Sequence, residues 1–558
     1  MSSKVLSYDS GTSSVPLVGK TIGVLFDEVA GRLGDQTGFV SRHQDIRWSY
    51  TEYKEQVDSL AAGFIELGLE PGDRIGIWSQ NNAEWVVTQF ASAKAGLVLV
   101  SLNPAYRTSE LEYALNKVAC KALVLSPVFK TSQYLDILAE LAPELASCEA
   151  GKLESKLLPS LKIVIRLGDE KTAGMFNYAE IQQKASAASR EKLQQLIGKL
   201  QFDDPINIQF TSGTTGSPKG ATLSHHNIVN NAIQTGTVMG INEGDAICIP
   251  VPMYHCFGMV IGTLMSLAKG ATAILAGEYF EPEAVLQAIQ DERCAAVYGV
   301  PTMYIAMLGL DNFSSFDLTS LKGGIMAAAP CPEAVMKQVI EKMHMKNITI
   351  AYGMTELSPV ATQTRMGDSF ERSVTTVGRV NPHVEGRIVD AENNVVAIGE
   401  VGEFCARGYN VMVGYWDDVE KTAESIDSAG WMHTGDLATM DAEGYVKIVG
   451  RSKDMVIRGG ENIYPKELEE FLYCHPQISD VQVIGVPDDK FGEELCAWIK
   501  LNSGESMSDD ELKAYCKGKI AHYKVPRYIK FVEDFPMTGS GKIQKFVMRD
   551  MMKKELEK

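Results

Sequence analysis

Polar Ser49-Tyr-Thr-Glu52 is followed by apolar Tyr53, Val57, Leu60, Ala61, Phe64 and Leu67. Steps of three and four residues put those apolar side chains on one face of a helix. Serine followed three residues later by glutamate has the form of a capping box, in which each side chain accepts from an orphan backbone N–H of the first turn. Pro71-Gly72-Asp73 then breaks the periodicity, and Arg74-Ile-Gly-Ile-Trp78 reads as a short strand. The same succession of helix, turn and apolar strand runs through roughly the first 450 residues, which predicts an α/β architecture with largely buried sheets.

The pattern changes at Gly450-Arg451-Ser452-Lys453-Asp454. Beyond it, Pro465 opens a short helix, and strands are predicted around Val481–Val486 and Cys496–Leu501. A second capping box, Ser508 with Glu511, starts another helix. Strand-like Tyr528–Val532, a Gly-rich turn and a charged C-terminal helix complete the chain. About 105 residues of this kind suffice for a small α+β domain. The expected organisation is a large domain over residues 1–450, with layered sheets and helices, and a small one over 451–558. A chain of 558 residues is in any case too long for one ordinary core.

Composition narrows the function. Lysine and arginine number 53 against 71 acidic residues, a net charge of −18, so the chain is a poor non-specific ligand for nucleic acid. The ten cysteines include no CxxC pair, which argues against a zinc site and a disulfide scaffold. Reduced core thiols in a cytosol-like compartment are expected. The first residues carry Lys4, Asp9 and Lys20 and no arginine before Arg32, unlike a secretory signal or an Arg-rich transit peptide. A cytoplasmic location is therefore expected. The apolar run Met259–Ala268 stops at Lys269, too short for a membrane span.

The strongest chemical signal is Thr211-Ser-Gly-Thr-Thr-Gly-Ser-Pro-Lys-Gly220, directly after the strand-like Ile206–Phe210. Gly213 and Gly216 let backbone N–H groups turn toward an anion. Thr211, Ser212, Thr214, Thr215, Ser217 and Lys219 add donors for phosphate oxygens. Pro218 and Gly220 flank the lysine where a Walker A loop needs glycine and a hydroxyl residue, so this is another kind of phosphate loop. Composition alone also allows an ordinary solvated loop.

Four further clusters bear on that choice. Tyr352-Gly353-Met-Thr355-Glu356 offers an aromatic face for a base, a hydroxyl for phosphate and a carboxylate suited to Mg2+. Thr434-Gly-Asp436 offers a carboxylate that can accept both ribose hydroxyls, and Arg451 a second ribose or phosphate contact. Pro536-Met-Thr-Gly-Ser-Gly-Lys542-Ile-Gln-Lys545 is a flexible turn presenting lysines. Each alone reads as readily as a turn or a surface ion pair.

In this order and at these separations the clusters resemble the adenylate-forming superfamily of acyl- and aryl-CoA synthetases, luciferases and peptide-synthetase adenylation domains. The resemblance runs from about Thr21 to Lys545. Within the superfamily the chain is most similar to the medium-chain type, acyl-CoA synthetase family member 2. Ser101-Leu-Asn-Pro-Ala-Tyr106 and Arg458-Gly-Gly-Glu-Asn-Ile-Tyr-Pro465 carry that likeness.

The resemblance implies an AMP-forming ligase of fatty-acid metabolism with ATP, Mg2+ and coenzyme A. A carboxylate attacks the α-phosphorus of ATP to give acyl-adenylate and pyrophosphate, and the coenzyme A thiol then displaces AMP. It implies that Thr211 to Lys219 hold phosphates, Glu356 the metal, Tyr352 the adenine, and Asp436 and Arg451 the ribose. Lys542 would bridge carboxylate and phosphate during adenylation. The small domain would be mobile about a hinge at Lys453, with Gly459 and Gly460 lining the pantetheine path.

For the acid, Pro250–Gly258 resembles the segment beside the acyl carboxylate, making His255, Phe257 and Gly258 pocket candidates; Tyr298 is expected as another wall. Many relatives have glycine where Ala327 stands, so Ala327 and Ala328 would reshape the pocket. A short- to medium-chain fatty acid is the expected substrate. Aryl or branched acids, a carrier-protein acceptor and luciferase-like oxidation are the alternatives, and a non-catalytic nucleotide-binding protein is the rival of another class. Oligomeric state is not legible. His225 and His226 read as helix-start residues rather than catalysts.

Overall fold

A computed structural model of the chain describes residues 5–211, 218–329, 331–458, 461–488, 490–517, 519–537 and 543–556. The chain divides into two compact units. The larger comprises Asp9–Gly386 and Ala406–Met432; the smaller comprises Met1–Tyr8, Arg387–Cys405 and His433–Lys558. The smaller unit thus draws on three stretches that precede Arg451 in the chain: Met1–Tyr8, Arg387–Cys405 and residues 433–450.

The larger unit contains an eight-stranded sheet in the order Phe176–Asn177, Ile163–Arg166, Ala122–Leu125, Arg74–Trp78, Val98–Ser101, Pro205–Thr211, Lys219–Ser224, Gly414–Tyr415. Pairing is parallel as far as Pro205–Thr211 and antiparallel for the last two strands. Strands such as Val98–Ser101 and Ala122–Leu125 are buried along their whole length, as continuous apolar runs in a two-sided parallel sheet must be. Trp78 stacks on Tyr134 in the core beside this sheet, with ring centroids 3.7 Å apart.

A nine-stranded sheet follows the order Arg379–Val380, Val360–Gln363, Asn347–Gly353, Gly323–Ala327, Ala296–Gly299, Ala246–Cys248, Thr272–Leu275, Thr37–Ser41, Ile46–Ser49. The helix Tyr50–Glu66 starts at the expected capping box. Ser49 Oγ accepts from the Glu52 N–H at 3.2 Å, and Glu52 Oε2 from the Ser49 N–H at 2.8 Å.

In the smaller unit one sheet has the order Tyr8–Ser10, Val384–Val389, Gly402–Gly408, Met432–Met440, Val446–Arg451, the ends of its first four strands running past the division. The other has Glu461–Ile463, Val456–Arg458, Gly492–Leu501 and Ile478–Asp488, with Tyr528–Phe531 also paired to Gly492–Leu501. The predicted strands at 481–486 and 496–501 are parts of these longer ones. Helices Pro465–Tyr473, Asp509–Cys516 and Lys545–Leu556 lie where the pattern put them, the second capped by Ser508 and Glu511. Leu468, Leu472, Val483, Ala497 and Leu512 form one core, and Trp498, Met548 and Met552 another.

No helix among the described residues is long and apolar enough to cross a membrane. The apolar run at 259–268 is shared between a wide-turned π-helix, Phe257–Leu264, and the α-helix Met265–Lys269. All ten cysteines are free thiols.

Candidate active site

Strands Pro205–Thr211 and Lys219–Ser224 pair so that Thr211 faces Lys219. The two ends of the Gly/Ser/Thr segment are thereby held side by side. Ser212, Gly213, Thr214, Thr215, Gly216 and Ser217 lie outside the described residues. Pro218 is tied down by Tyr113, whose hydroxyl donates to its carbonyl at 2.9 Å.

Glu356 closes on this hairpin mouth. It sits in a single helical turn, Thr355–Leu357, just past the strand Asn347–Gly353, and is 5% exposed. The Thr211 hydroxyl donates to Glu356 Oε1 at 3.2 Å, and the Tyr415 hydroxyl donates to the same oxygen at 2.8 Å. Burial, and then the neighbouring Glu356, push the Tyr415 phenol upward, so it keeps its proton and stays a donor. The Lys219 ammonium lies 4.7 Å from the centre of the Tyr415 ring. Gly353 has to be glycine, because a Cβ there would meet the Pro359 carbonyl oxygen at 1.8 Å. Tyr352 and Thr355 are half-buried on either side of it.

Of the expected acid-side residues, Phe257 and Tyr298 pack together. The Phe257 and Tyr298 rings lie 6.0 Å apart and nearly parallel, and Tyr298 is fully buried. The His255 ring packs 4.1 Å from that of Tyr254. A Cβ on Gly258 would reach within 2.4 Å of the Pro252 carbonyl oxygen. Ala327 ends the strand Gly323–Ala327 and is buried; exposed Ala328 has φ of 69°, a left-handed conformation costly for a residue with a Cβ.

Two contributors lack a sequence signal of their own. Tyr415 is one. The other is Gln209, whose Oε1 accepts both the Cys256 N–H and the Cys256 thiol at 3.1 Å. Gly414-Tyr415 is visible in the sequence, but nothing local points it at a carboxylate 59 positions away. The Cys256 thiol is pushed well up by burial and is no nucleophile. His225 opens the helix His225–Val238, is fully buried, and accepts the Ile22 N–H at Nδ1 (3.1 Å). Burial takes its pKa down to about 3, so it is a neutral packing group.

In the smaller unit, Asp436 and Arg451 are cross-strand partners, with Arg451 Nε 3.2 Å from Asp436 Oδ1. The Asp436 N–H donates to Thr434 Oγ1 at 3.1 Å, and that hydroxyl donates to the Phe404 carbonyl at 2.7 Å. Lys453 is exposed in the turn Ser452–Asp454. Gly459, Gly460 and Lys542 lie outside the described residues.

Comparison with known proteins decides the family. A family model described as AMP-binding enzyme matches residues 26–416, and one described as AMP-binding enzyme C-terminal domain matches residues 467–542. The chain belongs to the AMP-binding enzyme family. It is 48% identical over 558 residues to "Medium-chain acyl-CoA ligase ACSF2, mitochondrial" of Bos taurus, covering 99% of this chain and 90% of that one. It is 48% identical over 535 residues to "Putative acyl-CoA synthetase YngI" of Bacillus subtilis (strain 168), covering 96% and 97%. Among solved structures, the anthranilate CoA ligase AuaEII with anthranoyl-AMP superposes with a TM-score of 0.85 at 25% identity, covering 98% and 99%. ATP-bound MatB from Rhodopseudomonas palustris superposes with a TM-score of 0.83 at 27% identity, covering 96% and 99%.

The fold is that of adenylate-forming enzymes, and the chain is an AMP-forming acyl-CoA synthetase. Its substrates are a carboxylic acid, ATP and coenzyme A. The acid is activated to an acyl-adenylate and then transferred to the coenzyme A thiol.

Proposed function

We propose that the acid is a short- to medium-chain fatty acid, activated at the mouth of the Thr211–Lys219 hairpin. The observation that carries the reading is the convergence of Thr211 and Tyr415 on the buried Glu356, with the Lys219 ammonium over the Tyr415 ring. Adenylation builds negative charge on phosphate oxygens, and preorganised donors there lower the barrier most. Thr211 and Lys219 would contribute such donors together with Ser212 to Ser217, and Tyr352 would face adenine. The carboxylate and hydroxyl donors suit Mg2+, a hard cation usually held by one or two carboxylates plus substrate phosphates. Glu356 would hold it, and when bound it supplies neutralising charge for those phosphates.

Asp436 and Arg451 would hold the ribose, Lys542 would lie between carboxylate and α-phosphate, and rotation about Lys453 would bring Gly459 and Gly460 to the pantetheine. The name of the Bos taurus relative, a medium-chain acyl-CoA ligase, and the apolar Phe257–Tyr298 wall support a medium-chain acid. Ten free thiols support a reducing compartment, for which the cytoplasm is our reading.

Lys542→Ala tests the assignment. We expect pyrophosphate exchange to fall by several orders of magnitude, while acyl-CoA formation from preformed acyl-adenylate stays near wild type at an unchanged melting temperature. Normal exchange would remove Lys542 from the mechanism. A panel of straight-chain, branched and aromatic acids, assayed for AMP release with coenzyme A, tests the substrate. A best substrate outside the short- to medium-chain range would overturn that part.

A further inference from the structure

The spacing of cysteines along the chain argues against zinc, yet the fold assembles a mixed donor set from two neighbouring strands. Glu403 and Cys405 lie two positions apart on Gly402–Gly408, hence on one face of the sheet. His433 lies on the adjoining strand Met432–Met440. His433 Nδ1 is 2.8 Å from Glu403 Oε2 and 3.4 Å from Cys405 Sγ. One ligand atom from each of the three residues can be chosen so that all lie within 4.8 Å of one another, the only group of this kind among the described residues. We propose that Glu403, Cys405 and His433 form a binding site for a thiophilic divalent cation of the Zn2+ class.

The chemistry of the donors selects that class. Sulfur, imidazole nitrogen and one carboxylate oxygen suit Zn2+, whereas Mg2+ and Ca2+ take oxygen sets. Zinc bond lengths of roughly 2.0–2.3 Å in a tetrahedron separate the ligand atoms by roughly 3.3–3.6 Å. The Cys405–His433 separation of 3.4 Å already fits, and the Glu403–His433 pair at 2.8 Å has to open by roughly half an ångström. Cys405 is fully buried, while the Glu403 and His433 side chains keep about a quarter of their surface. That leaves an approach from solvent and a fourth position for water, as in three-ligand zinc sites. The second Glu403 oxygen accepts the Gly435 N–H at 2.8 Å, which orients the carboxylate from behind, as outer contacts do for metal ligands. Loading expels the Cys405 thiol proton, and any proton on His433 Nδ1, to water, so affinity rises with pH.

The test uses the full chain, stripped with a chelator and titrated with Co2+. Expected are one Co2+ per chain, a thiolate-to-cobalt band in the near ultraviolet, and its bleaching by Zn2+ but not by Mg2+. Cys405→Ser should abolish the band, and His433→Gln should weaken binding roughly tenfold or more. Cys474→Ser, at an exposed thiol elsewhere, should leave both unchanged. Absence of the band in wild type, or its survival in Cys405→Ser, overturns the proposal and leaves an ion pair beside a core thiol. Should Cys405→Ser fail to fold, Glu403→Gln decides, since its amide oxygen can still accept from Gly435. Undiminished Co2+ affinity in that variant, or a Zn2+-induced rise in melting temperature equal to wild type, is equally fatal.

Discussion

Tyr415→Phe removes one oxygen and keeps the ring under the Lys219 ammonium. The lost contact is the 2.8 Å bond to Glu356 Oε1, a carboxylate only 5% exposed. Hydrogen bonds to charged groups contribute about 1.5–3 kcal/mol. Thr211 still donates to the same oxygen at 3.2 Å, so the low end applies. About 1.5 kcal/mol corresponds to a factor of roughly ten. If the phenol holds Glu356 in place for Mg2+, the Mg2+ concentration giving half-maximal pyrophosphate exchange should rise about tenfold. Thioester formation from preformed acyl-adenylate should stay near wild type. A purely structural role predicts something else, a lower melting temperature with an unchanged Mg2+ dependence. That result would refute the reasoning, and so would a variant indistinguishable from wild type in both measurements.

Other substitutions probe neighbouring features. Gly258→Ala must displace the Pro252 carbonyl, 2.4 Å from the new Cβ, and should destabilise by about 1–3 kcal/mol, seen as a lower thermal midpoint; a wild-type midpoint would show that the turn yields freely. Arg451→Gln breaks an ion pair whose arginine is 61% exposed, so stability should change by less than about 1 kcal/mol while the KM for ATP rises; an unchanged KM would remove it from ribose binding. His225 titrates at about 3 when folded against an ordinary 6.5, so below 6.5 the unfolded chain gains a proton that the folded one refuses. Its contribution is intact above pH 6.5 and is lost as pH falls toward 3, by up to about 1.4 kcal/mol per unit. Acidification from pH 7 to 5 should therefore destabilise wild type more steeply than His225→Asn, and parallel slopes in urea melts would contradict this.

What the sequence revealed is what local chemistry encodes. The capping boxes at Ser49 and Ser508 need only four residues each, and both helices begin there. The strand preceding Thr211 and the hydroxyl-rich segment after it were visible for the same reason. Asp436 and Arg451 stood out as separate motifs, but their pairing depends on the register of two strands. Tyr415 and Gln209 are ordinary residues until the sheet order places them, the first beside Glu356 and the second beside Cys256. Strand order itself left no trace in the periodicity, because a buried parallel strand looks alike at any position. The same holds for the segments 387–405 and 433–450, whose membership of the smaller unit depends on long-range pairing.

Gln209 has a bearing on redesign. One amide oxygen splints the segment around Cys256 to the strand that runs into Thr211. If the acid binds beside His255–Gly258 and the phosphates beside Thr211, as proposed, redesign of the first also strains the second, and turnover should suffer with selectivity. Ala328 is a freer handle: exposed and already left-handed, it would accept glycine with a gain in backbone ease. On that reading, libraries for new acids are better seeded at Ala327–Ala328 than around Cys256.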